Sequence, residues 1–273
     1  MEKIWMNVLG FKICIQTSEK PLTRDLYNTF HHFIDQNENC LADIDICIKE
    51  TDSKDFQILF GDRMSACVRV NLYPKVCDII RRAIIYNSNL FCFHAAALEK
   101  NGKTFVFIST GNSGKSTLCT ALIYNGYKLL TDDTCWIDPI KGIIHPYPLA
   151  IGTRHKTLEL FPSLHKIAIE TSFPGKLILP VSEERVASAS KVFAFFNWEL
   201  DFDKSEFHKE AVSFEEMTYH LLSHSYSFKY CENKTKTVNE LKNTVENCRS
   251  YHLMGHNLNQ LPNLLERIAA VEE

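Results

Sequence analysis

Hydrophobic and polar positions alternate in short runs over the first third of the chain, and the pattern changes near residue 91. IWMNVLGFKICIQ over 4–16 carries two strand-like runs and predicts a hairpin turning at Gly10. DIDICIKE over 43–50 alternates with period two, as a half-buried strand does. Between them Leu22, Leu26, Phe30 and Phe33 recur at helical spacing, with Thr23 as the expected cap. Pro74 opens a second helix, in which Val76, Ile79, Ile80, Ala83 and Ile84 form one apolar face. Together these elements predict an α+β subdomain over residues 1–90.

From residue 91, FCFHAAALE and TFVFIS read as strands joined at Asn101-Gly102, a dipeptide that accepts the positive φ of a two-residue hairpin turn. A helix follows with Leu118, Leu122 and Ile123, ended by Gly126, and then a strand that runs through Leu129-Leu130-Thr131 into Asp132-Asp133. Past residue 140, Pro146, Pro148, Pro162 and Pro174 punctuate short extended pieces, and KLILP and KVFAFFNWEL read as two more strands. From Ser213 the chain turns mainly helical. Phe214, Met217, Leu221 and Leu222 form an amphipathic set, residues 234–249 are more polar, YHLMG reads as a short strand, and Leu258, Leu261, Leu265 and Ile268 mark a closing helix. No composition break marks a linker, so residues 91–273 read as one continuous body.

Length and composition narrow the function classes. The 273 residues suffice for one large domain or two modest ones. Thirty Lys and Arg against 33 Asp and Glu give a net charge of −3, no global basic field, and hence no expected nucleic-acid partner. No apolar run approaches the roughly 18 residues that span a bilayer, and the N-terminus has neither an uninterrupted apolar region nor a small-residue cleavage site. Ten cysteines are spread from Cys14 to Cys248 without C-x-x-C spacing, mostly beside apolar residues. They read as reduced core thiols of a cytoplasmic protein.

The informative chemistry is Gly111-Asn112-Ser113-Gly114-Lys115-Ser116-Thr117. A nucleoside triphosphate needs backbone N–H donors converging on one concavity, a helix N-terminus, a lysine for the β/γ-phosphates and a hydroxyl for Mg²⁺. A strand before this loop and a helix after it supply that context. In the motif G-x-x-x-x-G-K-[ST] the first position is Ser109 rather than glycine, which predicts a less usual backbone angle or a different path at the loop entry. One helix and one strand further on, Asp132 and Asp133 can divide metal binding and general-base work between them. The residues alone do not say which does which. His94 lies on the strand that should neighbour the one feeding the loop; a lone histidine on an apolar strand is more often a core group, although it can also contact a phosphate or orient a carboxylate.

With these residues in place, FHAAALEKNGKTFVFISTGNSGKSTLCTALIYNGYKLLTDD resembles the catalytic core of the HPr kinase-like proteins, which have a His-bearing strand, a phosphate loop and a strand ending in Asp-Asp. The resemblance is specific over residues 91–138 and weaker through the rest of the last two-thirds. It implies an α/β (mixed α+β) fold shared with phosphoenolpyruvate carboxykinases: a mixed β-core with a phosphate loop and flanking helices over 91–273, beside the N-terminal subdomain. It implies Lys115 on the β/γ-phosphates of ATP, Ser116 and Asp132 on Mg²⁺, Asp133 as general base, a functional His94, and Arg154 as a phosphate clamp. It also brings the family's assembly as homo-oligomers. The family's signature glutamate-x-arginine-glycine-leucine-glycine is replaced here by GIIHPYPLAIGTRHK. That departure points away from HPr itself and towards a divergent branch that phosphorylates a serine of ribosomally made peptides, lasso peptides among them.

The expectation is a Mg²⁺- and ATP-dependent kinase acting on a serine of a peptide or small protein, without a nucleic-acid or membrane partner. Three other readings compete: an HPr-type protein serine kinase, a kinase for a small hydroxyl-bearing metabolite, and a regulatory nucleotide-binding protein that transfers nothing. A GTPase is disfavoured, since Asn233-Lys234-Thr235-Lys236 lacks the aspartate of N-K-x-D and Asp138 to Gly142 has one residue too many for D-x-x-G. His220 and His224 stand four apart, but Leu221 occupies the place of the H-E-x-x-H glutamate.

Overall fold

In the computed structural model, which describes residues 1–36, 41–111, 113–204 and 206–270, the alternating runs pair into sheets and the helical runs cover them. The chain divides into two compact units, Met1–Ser88 with Leu149–Val181, and Asn89–Pro148 with Ser182–Glu273. The class is mixed α/β, as expected.

In the first unit, β1 (Glu2–Val8) turns through Leu9 and Gly10, at φ 53° and 87°, into β2 (Phe11–Thr17). Positive φ at both positions matches the turn to the strands' twist. Helix α1 (Lys20–Thr29) buries Leu22 and Leu26, but Thr23 is not its cap. The helix begins at Lys20 after Glu19, with Pro21 in its first turn, where a missing N–H costs nothing. Thr23 sits inside that turn, its hydroxyl donating to the Glu19 carbonyl at 3.2 Å. β3 (Ile44–Glu50), β4 (Phe56–Phe60) and β5 (Arg63–Cys67) complete a five-stranded sheet in the order β1-β2-β3-β4-β5, and α2 (Leu72–Asn87) follows. β4 buries Phe56, Ile58 and Phe60 alternately; it is a strand absent from the sequence expectation, although FQILF alternates as clearly as DIDICIKE.

The second unit opens with the hairpin of β6 (Phe91–Lys100) and β7 (Lys103–Ile108), turning at Asn101 and Gly102 with φ 56° and 78°. The phosphate loop leads into α3 (Lys115–Tyr124), then β8 (Lys128–Thr131), β9 (Thr134–Asp138) and β10 (Ile143–His145). At Pro148 the chain leaves this unit. The next strands, β11 (Ile151–Thr153), β12 (Ile169–Glu170) and β13 (Leu177–Leu179), form a small sheet in the order β11-β13-β12 in the first unit, with α4 (His155–Leu160) between β11 and β12. Residues 91–273 are therefore not one continuous body. Hydrogen bonds explain the assignment: Ala150 N–H donates to the Thr29 carbonyl at 3.0 Å, and the buried Asp25 carboxylate accepts from Ser172 N–H at 2.7 Å.

The second unit resumes with β14 (Ser190–Leu200), β15 (His208–Ala211), α5 (Phe214–Ser223), α6 (Lys234–Glu246), β16 (Arg249–Gly255) and α7 (Leu261–Ala270). Its sheet runs β10-β9-β6-β7-β14-β16-β15, with β8 added to β6, and β10 pairs with β14 as well as β9, so the sheet curls back on itself. Phe93, Ala95, Val106, Ile108 and Phe195 meet Met217 and Leu221 of α5 in one core. Ala95, Ala96 and Ala97 are buried on both faces of β6, and their small side chains admit α3 against that strand. None of the nine described cysteines is in a disulfide, with Cys14, Cys92, Cys119 and Cys135 buried, while Cys40 lies outside the described residues. Among the described residues no helix is long and apolar enough to cross a membrane.

Candidate active site

The site assembles where β7 ends. Its loop runs from Ser109 to Gly114, and Gly114 stands at φ 82° as the N-cap of α3, a left-handed angle that glycine adopts without a Cβ penalty. A Cβ at Gly114 would meet only Leu200 Cδ2, at 3.8 Å, so backbone angle rather than space calls for glycine there. Gly111 is exposed, Ser113, Ser116 and Thr117 are half-buried, and Asn112 lies outside the described residues.

Ser109 departs from the expectation. It is 3% exposed and is not among the residues with positive φ, so the missing glycine imposes no left-handed entry. Its hydroxyl pairs instead with the Ser113 hydroxyl and accepts from Lys115 Nζ at 3.0 Å. Lys115, 6% exposed, also donates to the carbonyls of Ser109 at 2.8 Å and Thr110 at 3.0 Å. Burial lowers its pKa to about 8, against the pull of the nearby Asp133 and Asp132.

The two aspartates form the turn between β8 and β9 and face different surroundings. Asp132 is 4% exposed and accepts from Ser116 Oγ at 3.3 Å. A hydroxyl and a carboxylate so placed are hard oxygen donors suited to Mg²⁺, which takes only one or two protein oxygens when it also holds phosphates. Among the described residues no cluster of three or more His, Cys, Asp or Glu is placed to hold a metal on its own. Asp133 has a half-exposed side chain, with Oδ1 3.2 Å from His94 Nδ1 and Oδ2 accepting from Thr134 Oγ1 at 3.0 Å. Thr131 braces this turn, its hydroxyl donating to the Thr134 carbonyl at 2.9 Å.

Ser116 thus contacts Asp132 and Asp133 contacts His94, while Lys115 is held by the loop and feels both carboxylates electrostatically. Arg154 lies in the first unit, preceding α4, while the loop lies in the second. Asn233 caps α6 by accepting from Lys236 N–H at 2.9 Å, and Asp138 accepts from the N–H groups of Ile140 and Lys141, so both guanine-motif lookalikes serve turns.

Two residues have no motif in the sequence to announce them. Trp198 Nε1–H donates to the Ser113 carbonyl at 2.8 Å, placed by the β14–β7 register that sets Asn197 opposite Ile108. The Tyr226 hydroxyl lies 3.0 Å from His94 Nδ1. Nearby, His220 Nε2 lies 3.2 Å from Asn197 Nδ2, and the His224 carbonyl accepts from the His94 N–H at 2.8 Å. Burial lowers the pKa of both His220 and His224, and Lys115 and His94 lower that of His224 further.

No protein-family model and no curated protein matches the chain. Among solved structures it is similar to the Hpr(Ser) kinase/phosphatase from Coxiella burnetii, with 15% identity and a TM-score of 0.31 over 65% of this chain and 87% of that one.

Proposed function

We propose that the chain is a Mg²⁺- and ATP-dependent kinase that transfers the γ-phosphoryl group to a serine hydroxyl of a peptide or small protein, with ribosomally made precursor peptides as the first substrates to test. The observation that carries this reading is the buried Lys115 on a strand–loop–helix beside two differently engaged carboxylates. Bound Mg-ATP supplies the phosphoryl group and its electrophilic phosphorus. Lys115 leaves its loop carbonyls to neutralise phosphate oxygens, and the α3 N-terminus adds N–H donors. Ser116 and Asp132 hold the metal, and the Asp133–His94 pair takes up the acceptor's proton. Phosphoryl transfer is mainly positioning and charge stabilisation, so this short roster suffices. Arg154 stays in this reading as the proposed phosphate clamp. The peptide acceptor rests on the resemblance over residues 91–138 and on GIIHPYPLAIGTRHK in place of the family's signature.

Incubation with Mg-ATP and serine-bearing precursor peptides should add one phosphoryl group by mass, and Lys115→Met should abolish the addition. ATP bound but never transferred to any peptide, protein or metabolite acceptor would replace the kinase with a regulatory nucleotide-binding protein.

A further inference from the structure

His94 presents one ring nitrogen to three oxygens and the other to none. Nδ1 lies 3.0 Å from the Asp133 carbonyl oxygen, 3.2 Å from Asp133 Oδ1 and 3.0 Å from the Tyr226 hydroxyl. Carbonyl and carboxylate oxygens only accept hydrogen bonds, so Nδ1 must carry a proton; a lone pair there would face two others. Nε2 has no hydrogen-bond partner among the described residues, and the side chain is 21% exposed. In the neutral tautomer that carries Nδ1–H, Nε2 is the lone-pair atom.

Asp133 is engaged differently. Oδ1 faces the imidazole and Oδ2 accepts from Thr134, so both oxygens are occupied in holding neighbours. A carboxylate that fixes an imidazole tautomer and steadies the imidazolium is the arrangement that activates a hydroxyl in triad hydrolases.

Backbone pairing fixes the ring's place. The segment after α5 is stitched to the start of β6: His94 N–H donates to the His224 carbonyl, Tyr226 N–H donates to the Cys92 carbonyl at 2.9 Å, and Ser227 Oγ accepts from Cys92 N–H at 2.9 Å. This pairing sets the Tyr226 ring edge-on to the imidazole, 5.9 Å between centroids.

We propose that His94 Nε2, rather than Asp133, is the general base of the phosphoryl transfer, and that Asp133 and Tyr226 are positioning residues that hold Nδ1–H. The assignment rests on the kinase reading. The acceptor's O–H proton passes to Nε2 as its oxygen bonds to the γ-phosphorus of ATP. The β,γ-bridging P–O bond breaks with its electron pair leaving on ADP. The imidazolium, held by the Asp133 carboxylate, then returns its proton to water.

The test begins with nitrogen-15 NMR of the full chain labelled at histidine, with the His94 signals identified by their loss in His94→Gly. A protonated Nδ1 and an unprotonated Nε2 at neutral pH are expected, and Tyr226→Phe should shift that signal. ADP release from Mg-ATP is then measured with water and with a pool of serine-containing peptides as acceptors. His94→Gly should slow it by about 10²–10⁴-fold, added imidazole should restore part of the rate, and Asp133→Asn should stay above His94→Gly. A proton on Nε2 in a chain that binds Mg-ATP overturns the base assignment alone. So does Asp133→Asn at background while His94→Gly keeps wild-type turnover, or a His94→Gly rate that imidazole leaves unmoved. Failure of the wild-type chain to bind Mg-ATP overturns the kinase reading, and the base assignment with it.

Discussion

Trp198 ties the phosphate loop to β14 through a single indole N–H, and its ring is 2% exposed and packs 5.7 Å from Phe207. Trp198→Phe keeps most of the buried ring but removes the donor to the Ser113 carbonyl. The expected cost is about 1 kcal/mol of stability, read as a lower urea midpoint, and weaker Mg-ATP binding by roughly the tenfold that 1.4 kcal/mol represents. Binding and stability both equal to wild type would show that the indole does not hold the loop. At this scale the sequence exposes local chemistry and conceals distant chemistry. Lys115 and Ser116 are legible because loop and helix start are contiguous, whereas Trp198 sits 85 residues from Ser113 and Tyr226 132 residues from His94, brought in only by strand register and backbone pairing. Ser109 shows the reverse limit. A motif read as a pattern treats the lost glycine as a defect, while the structure uses the serine hydroxyl to bind Lys115.

Helix ends separate residues that resemble caps from residues that cap. Ser213 precedes α5, and its hydroxyl accepts from the Glu216 N–H at 3.2 Å, which satisfies an otherwise unpaired donor of the first turn. Thr23 lies within α1, and its hydroxyl donates back to a carbonyl already used by the helix. Ser213→Ala should therefore cost about 1 kcal/mol, and Thr23→Ala a few tenths at most, both read by chemical denaturation of the full chain. Equal losses would mean that the hydroxyl's direction does not decide its worth. The cap assignment at Thr23 fails because periodicity gives the apolar face of a helix but not its first residue, and Pro21 moves the start upstream. β4 is absent from the expectation for a different reason: a five-residue strand is short enough to pass as a loop between two stronger signals, although its pairing with β3 and β5 follows from its alternation.

Composition along the chain shows no seam at residue 148 or 181, yet the first unit consists of Met1–Ser88 and Leu149–Val181. The reason is tertiary: β13 pairs with β11 and β12 in a sheet whose Leu177, Ile178 and Leu179 are all buried, and no local periodicity says which core a short apolar strand will join. The consequence is testable by cutting the chain. A fragment of residues 1–88 keeps Asp25, which is fully buried in the intact protein, but loses the Ser172 N–H and hydroxyl that its carboxylate accepts from. It also loses the Val181 carbonyl oxygen, which lies 3.0 Å from His31 Nε2 and 2.7 Å from His32 Nε2. Unsatisfied buried polar groups cost roughly 1–3 kcal/mol each, more when charged, and a chain of this length has only about 4–13 kcal/mol of stability in total. Residues 1–88 alone should therefore give a collapsed chain with poorly dispersed amide NMR signals, and the same residues joined through a flexible linker to 149–181 should give a dispersed spectrum and a cooperative urea transition. A dispersed, cooperatively unfolding 1–88 would show that the later segment decorates a finished core instead of completing it.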